Sequence, residues 1–196
     1  VAYGYDSLGL NTTGCRNVSV GVSSMQCNTT GSHNTASGHY SLRFNTTGFL
    51  NAAHGYCALS LNTTGCMNSA IGAKSLGNNT TGKWNTASGT YALCANTTGC
   101  FNSAHGYDAL RVNTTACHNT ASGYRALYSN TTGTNNTAHG NYALLYNTTS
   151  HNNTAAGSCA LRATTTGSNN TAMGRAALDR NTTGAENAAF GTNSLY

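Results

Sequence analysis

Hydrophobic and polar positions in this chain follow neither the period of about 3.6 expected of an amphipathic helix nor a continuous strand alternation. They recur every 17 residues. Leucine stands at one phase in Leu8, Leu42, Leu59, Leu76, Leu93, Leu110, Leu127, Leu144, Leu161, Leu178 and Leu195, with Met25 in the one remaining slot. Asn-Thr-Thr starts at Asn11 and returns at every step, apart from Thr164, which fills the asparagine slot of its unit. The unit reads N-T-T-G-x-x-N-T-A-x-G-x-x-A-L-x-x, and its residues are numbered here as places 1 to 17. Eleven units run from Asn11 to Tyr196, the last one residue short, and the back half of another precedes them, about eleven and a half coils without insertion or deletion. A disordered, low-complexity chain would tolerate slips in that spacing and would not need a leucine at one phase.

A unit of this length is too short for the helix pairs of helical repeats, which need about 33 residues. Asn, Thr and Gly are also poor helix formers. The unit fits one coil of a parallel β-solenoid or β-roll, with two short strands and two turns per coil and coils stacked about 4.8 Å apart. The expected fold class is therefore all-β, one repeat array over residues 1–196, forming a rod roughly 55 Å long.

Alternation along a strand sends the leucine of place 15 and the alanine of place 9 inward. The second asparagine of each unit (Asn34, Asn51, Asn68, Asn85, Asn102, Asn119, Asn136, Asn153, Asn170, with Asn17 and Asn187 at the ends) is expected to point inward at a turn and to stack its amides into a ladder. The place 11 glycine, Gly4 to Gly191, never varies and predicts a positive φ or a close backbone approach. The place 4 glycine yields to Ala116 and Ser150 and is the less demanding of the two.

The core of one coil is thin, one leucine among small residues, set against about 1.5 kcal/mol per ordered residue. This predicts side-by-side packing of several chains with closed symmetry, a homotrimer. The variable place 10 and the small Ala/Ser column of place 14 are the expected contact surfaces. Neither end of the array has an atypical capping unit, so the segment is expected to be a piece of a longer fibre.

Units such as NTTGTNNTAHGNYALLY (130–146) and NTTGSHNTASGHYSLRF (28–44) resemble the repeats of phage and other viral tail fibres. The A-x-G-x-x-A portion is similar to the heads of YadA-like trimeric adhesins, though with a longer coil. The resemblance implies a trimeric virion or extracellular fibre that spaces, attaches to a host surface, or does both. A bacterial surface adhesin or secreted filament is the alternative. Its implied partners are other copies of itself and a host-surface glycan or receptor.

Composition limits the chemistry. Charged residues make up only 7% of the chain, with four acids: Asp6, Asp108, Asp179 and Glu186. Glycan cleavage needs two carboxylates roughly 5–9.5 Å apart. Asp6 and Asp108 share a phase but lie six coils apart, about 29 Å, and Asp179 and Glu186 occupy different phases. No enzyme activity and no cofactor is expected. The nine Lys and Arg do not cluster in the sequence, so nucleic acid is not an expected partner. No apolar run of about 18 residues is present for membrane insertion.

His54, His105 and His139 share place 10 on separate coils. They could form three-histidine metal rings only on a threefold axis; otherwise they are interface or solvent histidines. The eight cysteines include no C-x-x-C; Cys100 and Cys117 stack on adjacent coils with side chains too parallel for an unstrained disulfide, so free thiols are expected, with Cys94 and Cys100, which flank one turn, as a second candidate pair. The ten Asn-Thr-Thr triplets match the N-glycosylation pattern, yet stacking accounts for them without sugar. Exposed Tyr40, Tyr56, Trp84, Tyr91, Phe101, Tyr107, Tyr124 and Tyr142 suit sugar stacking or packing between chains. Ice binding through threonine rows ranks third, because the two threonines of each triplet should face opposite ways.

Overall fold

The computed structural model describes residues 1–195; Tyr196, the last residue of the final unit, lies outside them. The strands are β1 (Ala2–Tyr3), β2 (Val18–Val20), β3 (Thr35–Ser37), β4 (Ala52–His54), β5 (Ser69–Ile71), β6 (Thr86–Ser88), β7 (Ser103–His105), β8 (Thr120–Ser122), β9 (Thr137–His139), β10 (Thr154–Ala156), β11 (Thr171–Met173) and β12 (Ala188–Phe190). They form one parallel sheet in chain order, every pair offset by 17 residues, as in Ala87 opposite Ala104. The chain is a parallel β-solenoid with one coil per repeat.

Each coil contributes one strand, not the expected two. The second expected strand, the one carrying the place 15 leucine, is broken by left-handed residues at places 13 and 15, for example Tyr91 (φ 60°) and Leu93 (φ 52°). This segment is still a ladder. Leu93 N–H donates to Ala109 O on the next coil (3.0 Å), and Tyr91 N–H donates to Ala73 O on the previous one (3.0 Å). Alternating the sign of φ keeps the amides pointing between coils while the chain turns too tightly for an extended strand.

Place 6 is left-handed as well. None of the non-glycine residues with positive φ is Val, Ile or Thr, because a β-branched side chain collides with the backbone there. Leucine at place 15 is thus set by conformation as well as by burial. Leu93→Met is expected to cost under about 1.5 kcal/mol, since Met25 already fills that place. Leu93→Ile, with the same carbon count, is expected to cost about 1–2 kcal/mol more, as read by paired urea melts.

The interior is closed within a single chain. The leucines from Leu42 to Leu161 and the place 9 alanines are buried. The place 14 column, such as Ala58, Ala92 and Ala126, is buried beside them in the same core. Its small size answers to the crowding of its own coil, not to a neighbouring chain, which corrects the sequence expectation. Place 10 does face out, with Ile71, Met173 and Phe190 exposed.

Two asparagine ladders run along the rod. In the expected one, Asn102 N–H and Nδ2 both donate to Asn85 Oδ1 (3.0 and 3.1 Å), and Asn119 repeats the pattern on Asn102. The other is the first asparagine of each unit: Asn45 Nδ2 donates to Asn28 Oδ1 (2.7 Å) and to Gly48 O (3.0 Å). Both columns converge on the place 4 carbonyl; Gly48 O also accepts from Asn34 Nδ2 (2.9 Å). The two ladders are therefore cross-linked at each place 4 carbonyl from Gly31 to Ser150 and again at Gly184, and the buried amides are paired rather than costly. Thr164 interrupts the first ladder and donates instead to Asn181 O (2.9 Å).

The two glycine columns differ as expected. Place 11 carries φ values between 107° and 143°, with a close approach to the next coil from Gly4 to Gly174. Place 4 is equally crowded but lacks the positive φ, so Ala116 and Ser150 fit there with a local loss. From Gly14 to Gly82 the place 4 N–H shares the next coil's threonine carbonyl with its two preceding N–H groups, whereas only Thr114 donates to Thr131 O.

Candidate functional site

With places 1, 7, 9, 14 and 15 facing inward, the variable residues fall into three outward strips. Places 8 and 10 form the outer sheet face, places 5 and 6 form a corner, and places 12, 13, 16 and 17 form a ribbon. Seven of the nine Lys and Arg lie on the ribbon: Arg43, Lys74, Arg111, Arg125, Arg162, Arg175 and Arg180. Nine of the ten described tyrosines join them, Tyr3 being the exception. The basic residues that look scattered in the sequence are gathered because a 17-residue coil projects four of its places onto one side.

Ring and charge contacts tie the ribbon together across coils. Tyr107 and Tyr124 stack at 5.6 Å, with Tyr91 and Tyr142 edge-on at either end. Arg111 lies 4.6 Å over the Tyr91 ring, and Arg125 lies 5.3 Å from both Tyr124 and Tyr128. Asp108 is buried among them, taking Arg111 Nη1 at 3.0 Å and Arg125 Nε at 3.3 Å. One carboxylate set against two guanidiniums leaves this patch positive. Asp179 is also buried and pairs with Arg162 Nε at 2.9 Å.

A notch of about 340 Å³ opens in the ribbon, lined by Cys57, Ser60, Lys74, Gly77, Asn78, Tyr91, Cys94 and Arg111. It exists because Gly77 leaves place 16 without a side chain, between Ser60 and Cys94 on the neighbouring coils. Burial pushes the Cys94 thiol above its ordinary value of 9.0, against the opposing pull of Arg111 and Lys74. A thiol pKa raised by folding favours the folded state below the unfolded value, and that contribution fades as pH rises through the folded value. Alkylation of Cys94 by iodoacetamide is accordingly expected to be slower in the folded rod than in urea at pH 8.5. The two rates should converge only at higher pH, as followed by peptide mass analysis.

The corner strip carries a different group. Trp84, Phe101 and His118, on successive coils at place 6, stack with near-parallel rings at 4.7 and 5.0 Å. Leu50 and Met67 extend this column into an exposed apolar ridge. Sequence reasoning placed Trp84 and Phe101 with the tyrosines; the coil separates them. In both strips many ring faces are covered by other rings or by cations, which leaves edges and hydroxyls outward and works against sugar stacking, one of the two roles the sequence left open for them.

The remaining expected sites fall out plainly. His54, His105 and His139 are exposed on β4, β7 and β9, and one chain does not bring them together. Among the described residues no cluster of three or more His, Cys, Asp or Glu could hold a metal ion. All eight cysteines are free thiols; Cys100 N–H donates to Cys117 Sγ at 3.1 Å. In the Asn-Thr-Thr triplets from Asn28 to Asn147 the asparagine is buried and its amide nitrogen is engaged, so the folded rod offers no acceptor there. The paired threonines do face opposite ways: Thr46 Oγ1 donates to Thr63 O (3.1 Å), while Thr47 is exposed. No helix is long and apolar enough to cross a membrane, among the described residues.

Compared with known proteins, the chain matches no family model, no curated protein and no solved structure.

Proposed function

We propose that this chain is a shaft segment of a viral tail fibre, a side-by-side homotrimer that spaces and also attaches to the host surface. The observation that carries the reading is the continuity of the ladders. One parallel sheet and the second-asparagine column run through the array, cross-linked to a first-asparagine column that Thr164 alone interrupts among the described residues, and the invariant places of the repeat are spent on this scaffold. Such a rod resists bending and extension because neighbouring coils share many bonds. The repeats' resemblance to tail-fibre arrays supports the viral setting.

Support for side-by-side assembly comes from the surface. The core is complete in one chain, so association has to draw on the outer strips. Leu50, Met67, Trp84 and Phe101 form a continuous apolar ridge, and Ile71, Met173 and Phe190 stand out from the sheet face. Monomers seldom leave apolar ridges of that kind in water. Sedimentation equilibrium together with electron microscopy tests this. The expected result is a trimer seen as rods about 55 Å long; a stable folded monomer at micromolar concentration overturns the assembly. A bacterial surface adhesin is the second reading, favoured by the A-x-G-x-x-A portion of each unit, and imaging the native particle separates the two.

A further inference from the structure

We propose that the Lys74–Tyr91–Arg111 notch is a binding site for an acidic saccharide, a sugar unit carrying sulfate or carboxylate. The inference deepens the attachment half of the proposed function and rests on it only for its biological setting. The ribbon holds seven cations against Asp6, Asp108 and Asp179, a net +4, out of a net +5 for the whole chain. Almost all of the unbalanced charge therefore lies on one strip. Asp108 is buried and shared by two arginines, so it does not face an incoming ligand. Lys74 has no carboxylate within ion-pair distance among the described residues; its contact is with the Tyr91 ring at 5.7 Å.

The notch adds shape to this charge. At about 340 Å³ it lies at the small end of ligand pockets, room for one or two sugar rings. Its walls pair the two cations with the Ser60 hydroxyl, the Asn78 amide and the Tyr91 ring, a set that recognises an anion beside neutral hydroxyls.

The ring geometry separates a sugar from a nucleic acid. Single-stranded nucleic acid is held by bases stacking on free aromatic faces. Here Tyr107 and Tyr124 cover each other, and Tyr91 has Arg111 over its ring. At the notch hydroxyls, edges and guanidiniums remain, which suits hydrogen bonding to a saccharide better than the stacking of bases.

Calorimetry with a heparin-derived sulfated disaccharide and its desulfated counterpart tests the site. The sulfated form is expected to bind, more weakly as salt rises, and the desulfated form much less. Lys74→Gln is expected to weaken binding about two- to fivefold. Gly77→Tyr keeps every cation and fills the notch with a side chain that place 16 already holds at Tyr128; it is expected to weaken binding about tenfold or more. Lys83→Gln, off the ribbon, should leave binding unchanged. Circular dichroism confirms that each variant keeps the parent's fold. No binding by the parent, full binding by Gly77→Tyr, equal losses for Lys83→Gln and Lys74→Gln, or tighter binding of a single-stranded oligonucleotide of equal charge each overturn the proposal. Sedimentation of the same preparations reports on the trimer separately, so a monomer that binds the disaccharide removes the assembly and leaves the site.

Discussion

Gly106→Ala is expected to lower the stability of the rod by about 3 kcal/mol or more and to open it locally around β7 and β8. Gly106 has φ +130°, a conformation an L side chain rarely adopts, and an added Cβ would lie 2.6 Å from Gly123 O on the next coil. Strain and collision act together, and the neighbour that must move is backbone in a packed ladder. Coils on either side repeat the same approach, so displacing one glycine transmits strain along the column. The matched control is Gly82→Ala. Its Cβ would lie 2.5 Å from Gly99 O and closer still to Asn79 Oδ1, a tighter fit than at Gly106, yet its φ is not positive and Ala116 occupies the same place elsewhere. The control is expected to cost about 1 kcal/mol, near the value of a weakened hydrogen bond. Hydrogen exchange resolved by peptide checks both: Gly106→Ala should expose amides of coils flanking residues 103–123, and Gly82→Ala should not. Equal losses for the two would show that crowding, not φ, decides.

The second large effect is expected at Asn102, where leucine should cost about 2–4 kcal/mol despite similar bulk and full burial. Asn102 Oδ1 accepts from Asn119 N–H (3.1 Å) and Asn119 Nδ2 (3.3 Å), and its own Nδ2 donates to Asn85 Oδ1 and Ala116 O. Leucine orphans the Asn119 N–H inside the core. Asn102→Asp makes the test sharper. The ionised carboxylate it introduces can still accept from Asn119 but sets negative oxygen against Asn85 Oδ1 and Ala116 O. The folded pKa of that carboxyl is then raised above the usual carboxylate value of about 3.9. A carboxyl raised by folding contributes stability that is present below the unfolded pKa and is lost as pH rises through the folded one. Asn102→Asp should therefore be markedly less stable than the parent at pH 7 and recover toward it near pH 4, in thermal melts at the two values. A difference from the parent that did not change with pH would place the second asparagine outside the ladder.

Particular residues show how far the sequence could be read. Leu93, Ala87 and Asn102 were legible as inward-facing because their period is strict and their chemistry is that of a core and a stacked amide. Gly106 was legible because no other residue ever takes its place. Asn96, equally buried, was legible as stacked by phase but not as inward-facing: Asn-Thr-Thr also reads as a glycosylation signal and as a turn, and nothing local says that its amide meets Asn79 on the coil before. Ala92 looked like a contact surface because small residues suit either an interior or a close neighbour. The second strand failed because Tyr91 and Leu93 are ordinary β-sheet residues by type, and their left-handed φ is imposed by closing the coil. The absence of Val, Ile and Thr at places 6, 13 and 15 was the signal that could have found it.

By itself the amino-acid order determined the period, the one-coil-per-repeat solenoid and the inward leucine, alanine and second-asparagine columns, because a 17-residue repeat without slips stacks like on like and burial then selects the invariant places. Only the tertiary structure decided the single strand, the second asparagine ladder and the gathering of Tyr91, Lys74, Arg111 and their fellows into one ribbon. Those outcomes depend on where each place points around the closed coil, and that direction is set by the sign of φ at places 6, 11, 13 and 15, which residue type fixes at the place 11 glycine and constrains only by exclusion at the other three.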